Sequence, residues 1–366
     1  MNIFLKTFFL YAAAVLSSCS QNKNGASETI PFAGSTELAF SSVGKFFADG
    51  HFIVPDISGD GSYLFSSPEQ VIFHNRKLYI SDGWRNGKIL VFDFDGNPVT
   101  SLDRKGRGDG EYLQISHFDI DKDGNFWILD GRRDRILKYN QDRLLIASFD
   151  LECQVDKIKC LDNGNLLLST ASWDNSKYKD KSVLLADPNL NIISSFIDKP
   201  ENTDPNFMFP AQGFIGTGTG ILYHVPVDDH IYRLSFEGEL EQSYFIDFKG
   251  KSIPEDFRSN IESHYDELER FLTLVNSVYI DKDVALGSVL YEGDVKDFII
   301  DRQNDRLYLS DEPYDSMHLV GISGNYAVFY IPAGYSGEIP YMPDSVKEEY
   351  DLGKDLFLIL DINAIK

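Results

Sequence analysis

The densest set of metal-capable side chains in the chain is Asp119, Asp121 and Asp123, followed by Gly124, with Asp130 at the twelfth position counted from Asp119. Oxygen ligands at positions 1, 3, 5 and 12 around a glycine at 6 are how a loop wraps calcium. The competing reading is a hairpin with Asp123-Gly124-Asn125 as the turn and Phe118, Ile120, Trp127 and Leu129 as its apolar residues. That pairing would point Asp119 and Asp121 across the sheet and draw Asp130 away from the turn. Asp93 and Asp95 before Gly96 read as a turn only. His224 and His230, with Asp228 and Asp229 between them, form a metal set only if both imidazoles choose one face of a hairpin.

A second candidate is the glycine-rich stretch from Gly106 to Tyr112 (Gly-Arg-Gly-Asp-Gly-Glu-Tyr), flanked by Arg104 and Lys105 and containing Arg107. Exposed backbone N–H groups and guanidinium forks can hold a phosphate, a carboxylate or a sulfated sugar. The stretch lacks the Gly-Lys-Ser/Thr step of a P-loop. Its alternative role is a crossover with tight backbone, Glu111 pairing to an arginine. Trp84 beside Arg85, and Trp173, fall in loops, where an indole suits sugar stacking or a peptide anchor. His117 opens an expected inner strand and should line a central channel. No Ser-His-Asp arrangement or paired-carboxylate motif is recognisable, so no catalytic residue is assigned.

These residues sit on short alternating runs punctuated by Gly, Asp and Asn. Leu78 to Asp82, Lys88 to Asp93 and a short third run after Asp95-Gly96-Asn97 recur some fifty residues later as Phe126 to Asp130, Arg135 to Asn140 and Leu144 to Phe149. Glu69 to Phe73 and Ile115 to Asp121 precede them and complete two four-stranded units. Weaker copies follow through residues 157–197, 214–248 and 272–310. The last unit, residues 318–362, has only three runs. Four-stranded units at this period define a β-propeller. The missing strand implies closure by the N-terminus, with Glu37 to Phe47 as the supplier. The expected architecture is all-β: a six-bladed propeller over residues 36–366, with one helix over Pro254 to Leu274, capped by Ser252, inserted between blades 4 and 5.

The 366 residues carry a formal charge of −23, which disfavours nucleic acid and anionic surfaces as partners. After Cys19 the cysteines are Cys153 and Cys160. In an extended stretch they would lie about 23 Å apart at 3.3 Å per residue, against the roughly 7 Å a disulfide spans. They are expected free and buried, unless the chain folds back between them.

Residues 1–19 resemble a bacterial lipoprotein signal: Lys6, the short apolar run Thr7 to Val15, then Leu16-Ser17-Ser18-Cys19. The run is too short to span a bilayer. The resemblance implies removal of residues 1–18, acylation of Cys19, and a tether over residues 19–35. Loss of Lys6 takes the charge to −24.

The clear copies look like NHL-type repeats, in which a strand ends in Asp and an Arg-Ile strand follows. Here these are Asp82 with Lys88-Ile89 and Asp130 with Arg135-Ile136. The 106–112 loop is similar to the Gly-x-Gly-Pro-Gly-Glu-Tyr loop of six-bladed, TolB-like propeller lipoproteins of Bacteroidota, with Asp109 in place of the proline. That resemblance implies an envelope setting and supplies no catalytic residues. Ser20-Gln21-Asn22-Lys23 lacks the acids that follow the lipid cysteine in surface-exported members, which favours an outer-membrane lipoprotein facing the periplasm. The expectation is a monomeric, non-catalytic binding or scaffolding protein, membrane-bound through lipid, for a protein, peptide or glycan. Its alternative is an NHL-like lyase or lactonase with a metal in the channel. No cofactor is required by the first reading.

Overall fold

A computed structural model describes residues 26–32, 36–200, 204–206, 211–310, 317–334 and 341–365. The signal segment, Cys19 and the first part of the tether lie outside the described residues.

Six antiparallel sheets form six blades. Blade 1 is Gln70–His74, Lys77–Asp82, Lys88–Asp93 and Pro98–Asp103. Blade 2 is His117–Ile120, Phe126–Asp130, Arg135–Tyr139 and Leu145–Asp150. Blade 3 is Val155–Cys160, Leu166–Thr170, Lys181–Ala186 and Ile192–Asp198. Blade 4 is Phe214–Thr217, Gly220–His224, His230–Leu234 and Leu240–Asp247. Blade 5 is Thr273–Ile280, Val284–Tyr291, Asp294–Asp301 and Arg306–Leu309. Blade 6 has three strands from the C-terminal part of the chain, His318–Ser323, Tyr326–Ile331 and Leu356–Asp361. The middle strands are buried on both faces, because each blade packs between two others. Phe126–Asp130 and Leu166–Thr170 are buried at every position, whereas the outer strand Leu145–Asp150 is largely exposed.

The N-terminal segment takes a longer route than the repeat pattern implies. Strand β1 (Ala26–Pro31) adds a fifth strand to blade 4, parallel to its outer strand. Strand β2 (Thr36–Ala39) does the same on blade 5. Helix α1 (Gly44–Ala48) follows, and β3 (His51–Ile53) pairs with Leu356–Asp361 as the missing strand of blade 6. Closure therefore comes from the N-terminus, but not from Glu37 to Phe47 as expected. Those residues instead supply β2 and the buried aromatics Phe40, Phe46 and Phe47. Within the expected tether of residues 19–35, Ala26–Pro31 is paired strand.

The inserted helix is present in reduced form. Helix α2 (Glu255–Arg258) is followed by a 3-10 segment over Ile261–Arg270. Pro254, not Ser252, stands at the N-cap, and no side chain caps it. A further short helix, α3 (Asp344–Asp351), lies within blade 6.

Connections between first and second strands, and between third and fourth, are short and lie on one rim, the turn rim. Second-to-third and blade-to-blade connections lie on the other, the loop rim. The loop rim carries the long excursions at residues 104–116, 171–180 and 248–272. An innermost strand has one free edge toward the channel, and its backbone groups must find partners. Side chains from other blades provide them. The Gln70 amide donates to Phe118 O at 2.9 Å and accepts its N–H at 3.1 Å. Gln212 treats Ile322 the same way, at 2.8 and 3.0 Å. Phe73 N–H donates to Ser323 Oγ at 3.2 Å, tying blade 1 to blade 6.

Candidate functional site

The four acids of the calcium pattern are not gathered into one set. Asp119 holds Lys159 Nζ at 3.0 Å and accepts Cys160 N–H at 2.7 Å, joining blades 2 and 3. Burial, the largest single influence, lowers the Lys159 pKa, but Asp119, Cys160 and Asp162 together outweigh it and the net shift is upward. Asp121 accepts from Asn125 N–H (2.9 Å) and Trp127 Nε1–H (3.0 Å) and pairs with Lys138 at 3.0 Å. Asp123 is exposed in the turn. Asp130, at the opposite end of its strand, accepts Leu113 N–H at 3.0 Å, with Arg135 Nε at 3.6 Å. The hairpin reading holds, with Asp119 paired to Trp127 and Asp121 at the turn. Among the described residues, no group of three His, Cys, Asp or Glu side chains is arranged to hold a metal ion.

An Asp at the end of a blade's second strand, or in the loop just after it, is instead a recurring clasp. Asp82 accepts Ser66 N–H at 2.8 Å, Asp130 accepts Leu113 N–H, and Asp174 accepts Gln154 N–H at 3.0 Å. Each binds the connection that leads into its own blade's innermost strand. Asp297 in blade 5 accepts Leu319 N–H of blade 6 at 2.7 Å and Ser288 Oγ–H at 2.7 Å. Among the described residues no cation compensates Asp297, and burial pushes its carboxyl up to about 6.

The glycine-rich loop carries its own anion. The Glu111 carboxylate accepts Gly108 N–H at 2.7 Å and lies so close over Gly106 that a Cβ there would meet it at 2.0 Å. Arg135 reaches the Glu111 backbone carbonyl, so the arginine meets main chain rather than carboxylate. Buried Tyr112 donates its hydroxyl to Gly87 O at 2.9 Å and receives Arg104 N–H at 3.0 Å. Gly110 O accepts from Tyr139 at 2.8 Å, which packs the loop against the outer strands of blade 2. Arg104 and Arg107 thus project from the flank of the ring, both exposed.

His117 lies in the channel wall as expected, but it is engaged. Its Nε2 is 3.2 Å from Gln212 O, and Nδ1 accepts Ile158 N–H at 3.4 Å. Burial, reinforced by Lys157, holds its pKa well below the usual histidine value, so the ring is neutral. His224 pairs with Ile231 across the strands, so neighbouring His230 points to the opposite face. The two do not form a pair: His224 meets Asp228 O, and His230 meets the Asp228 carboxylate at 2.8 Å. Cys153 and Cys160 are free, and burial pushes the Cys153 thiol up to about 11.

Two concavities remain. On the turn rim the channel opens as a cavity of about 830 Å³, with His74, Arg76, Phe94, Phe236 and Tyr326 in its wall. Phe94 is covered on both faces, by the His51 ring at 3.6 Å and the Arg76 guanidinium at 3.8 Å. On the loop rim, blades 3 and 4 enclose a cleft of about 120 Å³ beside Trp173. Trp173 is 41% exposed, and Pro200, Pro226, Val227 and Ile261 extend the apolar wall. Tyr223 and Ser169 share a hydrogen bond of 3.0 Å on the polar side. Lys199 donates to Ala171 O at 2.5 Å, and burial lowers its pKa. Asp156 Oδ1 is buried there with no hydrogen-bond partner among the described residues.

Trp84 is 60% exposed on the same rim but in blade 1, its N–H held by the Glu69 carboxylate at 2.9 Å. Arg85 beside it is exposed, its carbonyl taken by Lys105 at 3.2 Å. Of the residues singled out in the sequence, Trp173 and Asp228 line the loop-rim cleft, and His117 and Asp119 line the channel cavity. The companions of Trp173, Asp156, Lys199, Tyr223 and Ile261, gave no local signal, because each comes from a different connection or blade.

The ring, its laced channel and its N-terminal closing strand define a six-bladed β-propeller. The chain belongs to the family described as Domain of unknown function (DUF4934), which it matches over residues 60–353. That match starts after β3, so the N-terminal belt lies outside it. Among solved structures, a Bacteroides fragilis protein named for its inferred export is 20% identical, with a TM-score of 0.71 over 92% of this chain and 99% of that one. A member of the duf4221 family from Bacteroides vulgatus is 10% identical, with a TM-score of 0.54 over 86% and 97%. Virginiamycin B lyase from Staphylococcus aureus is 11% identical over 85% and 100%, but its TM-score of 0.45 carries no argument about activity. No curated protein sequence matches this chain.

Proposed function

We propose that this protein is an exported, lipid-anchored propeller of the bacterial envelope that binds a partner through its loop rim and catalyses nothing. Cys19 carries the acyl groups, the ring faces the periplasm from the outer membrane, and the occupant of the loop-rim cleft is an extended peptide of a partner protein. The observation that carries this reading is Trp173, a large ring left 41% exposed at the edge of a cleft. Exposed tryptophans beside desolvated polar groups are the kind of side chain that anchors protein partners. The cleft suits one anchor side chain rather than a whole substrate. A cationic anchor would meet the free Asp156 oxygen, which suits the negative charge of the chain. The export in the name of the Bacteroides fragilis relative and the signal-like residues 1–19 agree with the envelope setting.

The test is capture of partners from the native envelope by lipidated protein, compared between the wild type and Trp173→Ala. A partner recovered by the wild type should fall at least about tenfold with the variant, as loss of a hot-spot aromatic does. Equal recovery by both proteins rejects the cleft as the binding site.

A further inference from the structure

The direction of β1 carries information about how the molecule stands on a membrane. Outer strands of the blades climb from the turn rim to the loop rim. Because β1 runs parallel to the outer strand of blade 4, with Ala26 beside Gln242 and Pro31 beside Asp247, its first residue lies at the turn-rim end. The strand is firmly seated. Ile30 and Phe32 are each 2% exposed, and the Phe32 ring packs on Phe248 and Phe298 at 4.8 and 5.3 Å. Glu28 reaches across to Arg302 of blade 5.

Between Cys19 and Ala26 there are seven peptide links. Fully extended they reach at most about 25 Å. To bring the loop rim to the bilayer, the tether would have to climb back along the length of β1, about 20 Å at 3.3 Å per residue, and then clear the rim loops. Even the greatest reach of the links leaves about 5 Å after that climb, whereas the turn rim lies next to the start of β1.

We propose that the ring stands on the membrane by its turn rim, with the mouth of the channel cavity toward the lipid and the loop rim turned away. This rests on acylation of Cys19 and deepens the proposed function, since it leaves Trp84 and Trp173 open to a partner. The turn rim is not a lipid-binding surface. It carries the exposed Asp95, Asp123, Asp142 and Glu237 and the half-buried Asp187, and is held near the bilayer only by the length of the tether.

The test uses full-length lipidated protein in vesicles of phosphatidylethanolamine and phosphatidylglycerol containing an acceptor-labelled lipid. Donors are placed at Glu237→Cys on the turn rim or Lys251→Cys on the loop rim of the same blade, in a background with Cys153→Ala and Cys160→Ala. Both sites are exposed. Energy transfer to the lipid should be about twofold or more greater from position 237, given a rim separation of about 20 Å. Inserting twenty Gly/Ser residues after Asn24 should remove most of that difference. Equal transfer, or stronger transfer from position 251, overturns the orientation. Mass measurement of the N-terminal peptide is the separate check on Cys19. An unacylated cysteine brings down the anchor and the orientation together, while an acylated one with reversed transfer brings down the orientation alone.

Discussion

Blades 1 to 3 and blades 4 to 6 solve the same packing problem differently. In the first half, each blade is a compact meander whose turns are set by local chemistry. Asp93 accepts N–H bonds from Asp95 and Asn97, Asp121 from Asp123 and Asn125, and Asp187 from Asn189 and Asn191. The outer strands there are bare, and blade 2 leaves Leu144, Leu145 and Ile146 each more than 40% exposed. In the second half the copies are weaker and the outer edges of blades 4 and 5 are covered by β1 and β2. The largest buried cluster joins Ile30, Phe32, Phe40, Phe46 and Phe47 to the cores of blades 4, 5 and 6. Local repeat chemistry gives way to a sequence-distant belt, so this half depends on contacts made across the whole chain.

The largest test of that contrast is a buried charge. Ile53→Asp in β3, fully buried, should cost on the order of 4–5 kcal/mol, or leave the ring open, because an unpaired charge is forced into the core of blade 6. Val99→Asp on the bare outer strand of blade 1, 44% exposed, should stay within about 0.5 kcal/mol. Denaturant unfolding decides it, and similar losses at the two sites would remove the distinction.

Asp130 and Asp297 give a second, pH-dependent test, since the first has Arg135 beside it and the second has no cation among the described residues. The folded pKa of Asp297 is raised from 3.8 to about 6. Its contribution is therefore fully present below pH 4 and is lost as pH rises through 6. The loss is up to about 3 kcal/mol at 1.36 kcal/mol per unit. Stability of Asp297→Asn, followed by urea unfolding from pH 4 to 7.5, should gain on the wild type across that window. Parallel profiles would mean the carboxyl is not desolvated as described.

The smallest effect is expected at Glu28 and Arg302, which link β1 of blade 4 to blade 5. Glu28→Gln should cost under about 1 kcal/mol, because the carboxylate is 41% exposed and largely screened. A loss of several kcal/mol would show the belt to be held by charge rather than by the buried ring of Phe32.

Much of the ring was legible because a strand with one buried face has a period of two and its turns demand particular residues. Blades 1 and 2 were found within a residue or two, and even the weak runs at residues 272–310 resolved into four strands. The closing strand was misplaced for a physical reason. His51–Ile53 is three residues long and shows no alternation, while Glu37 to Phe47 is far more apolar and drew the assignment. That apolarity serves packing against three blades rather than pairing. The inserted helix was overestimated because Phe257, Ile261 and Leu268 have helical spacing. In the structure Phe257 instead stacks on His264 at 3.8 Å, and the helix breaks between them.

By itself the sequence determined the class of fold, the number of blades and closure by the N-terminus, since these follow from short-range alternation and turn chemistry. Tertiary structure alone decided the belt, the side-chain lacing of the channel and the cleft at Trp173. Each of these joins residues from separate blades or connections. Their proximity exists only once the ring is closed, and no local period records it.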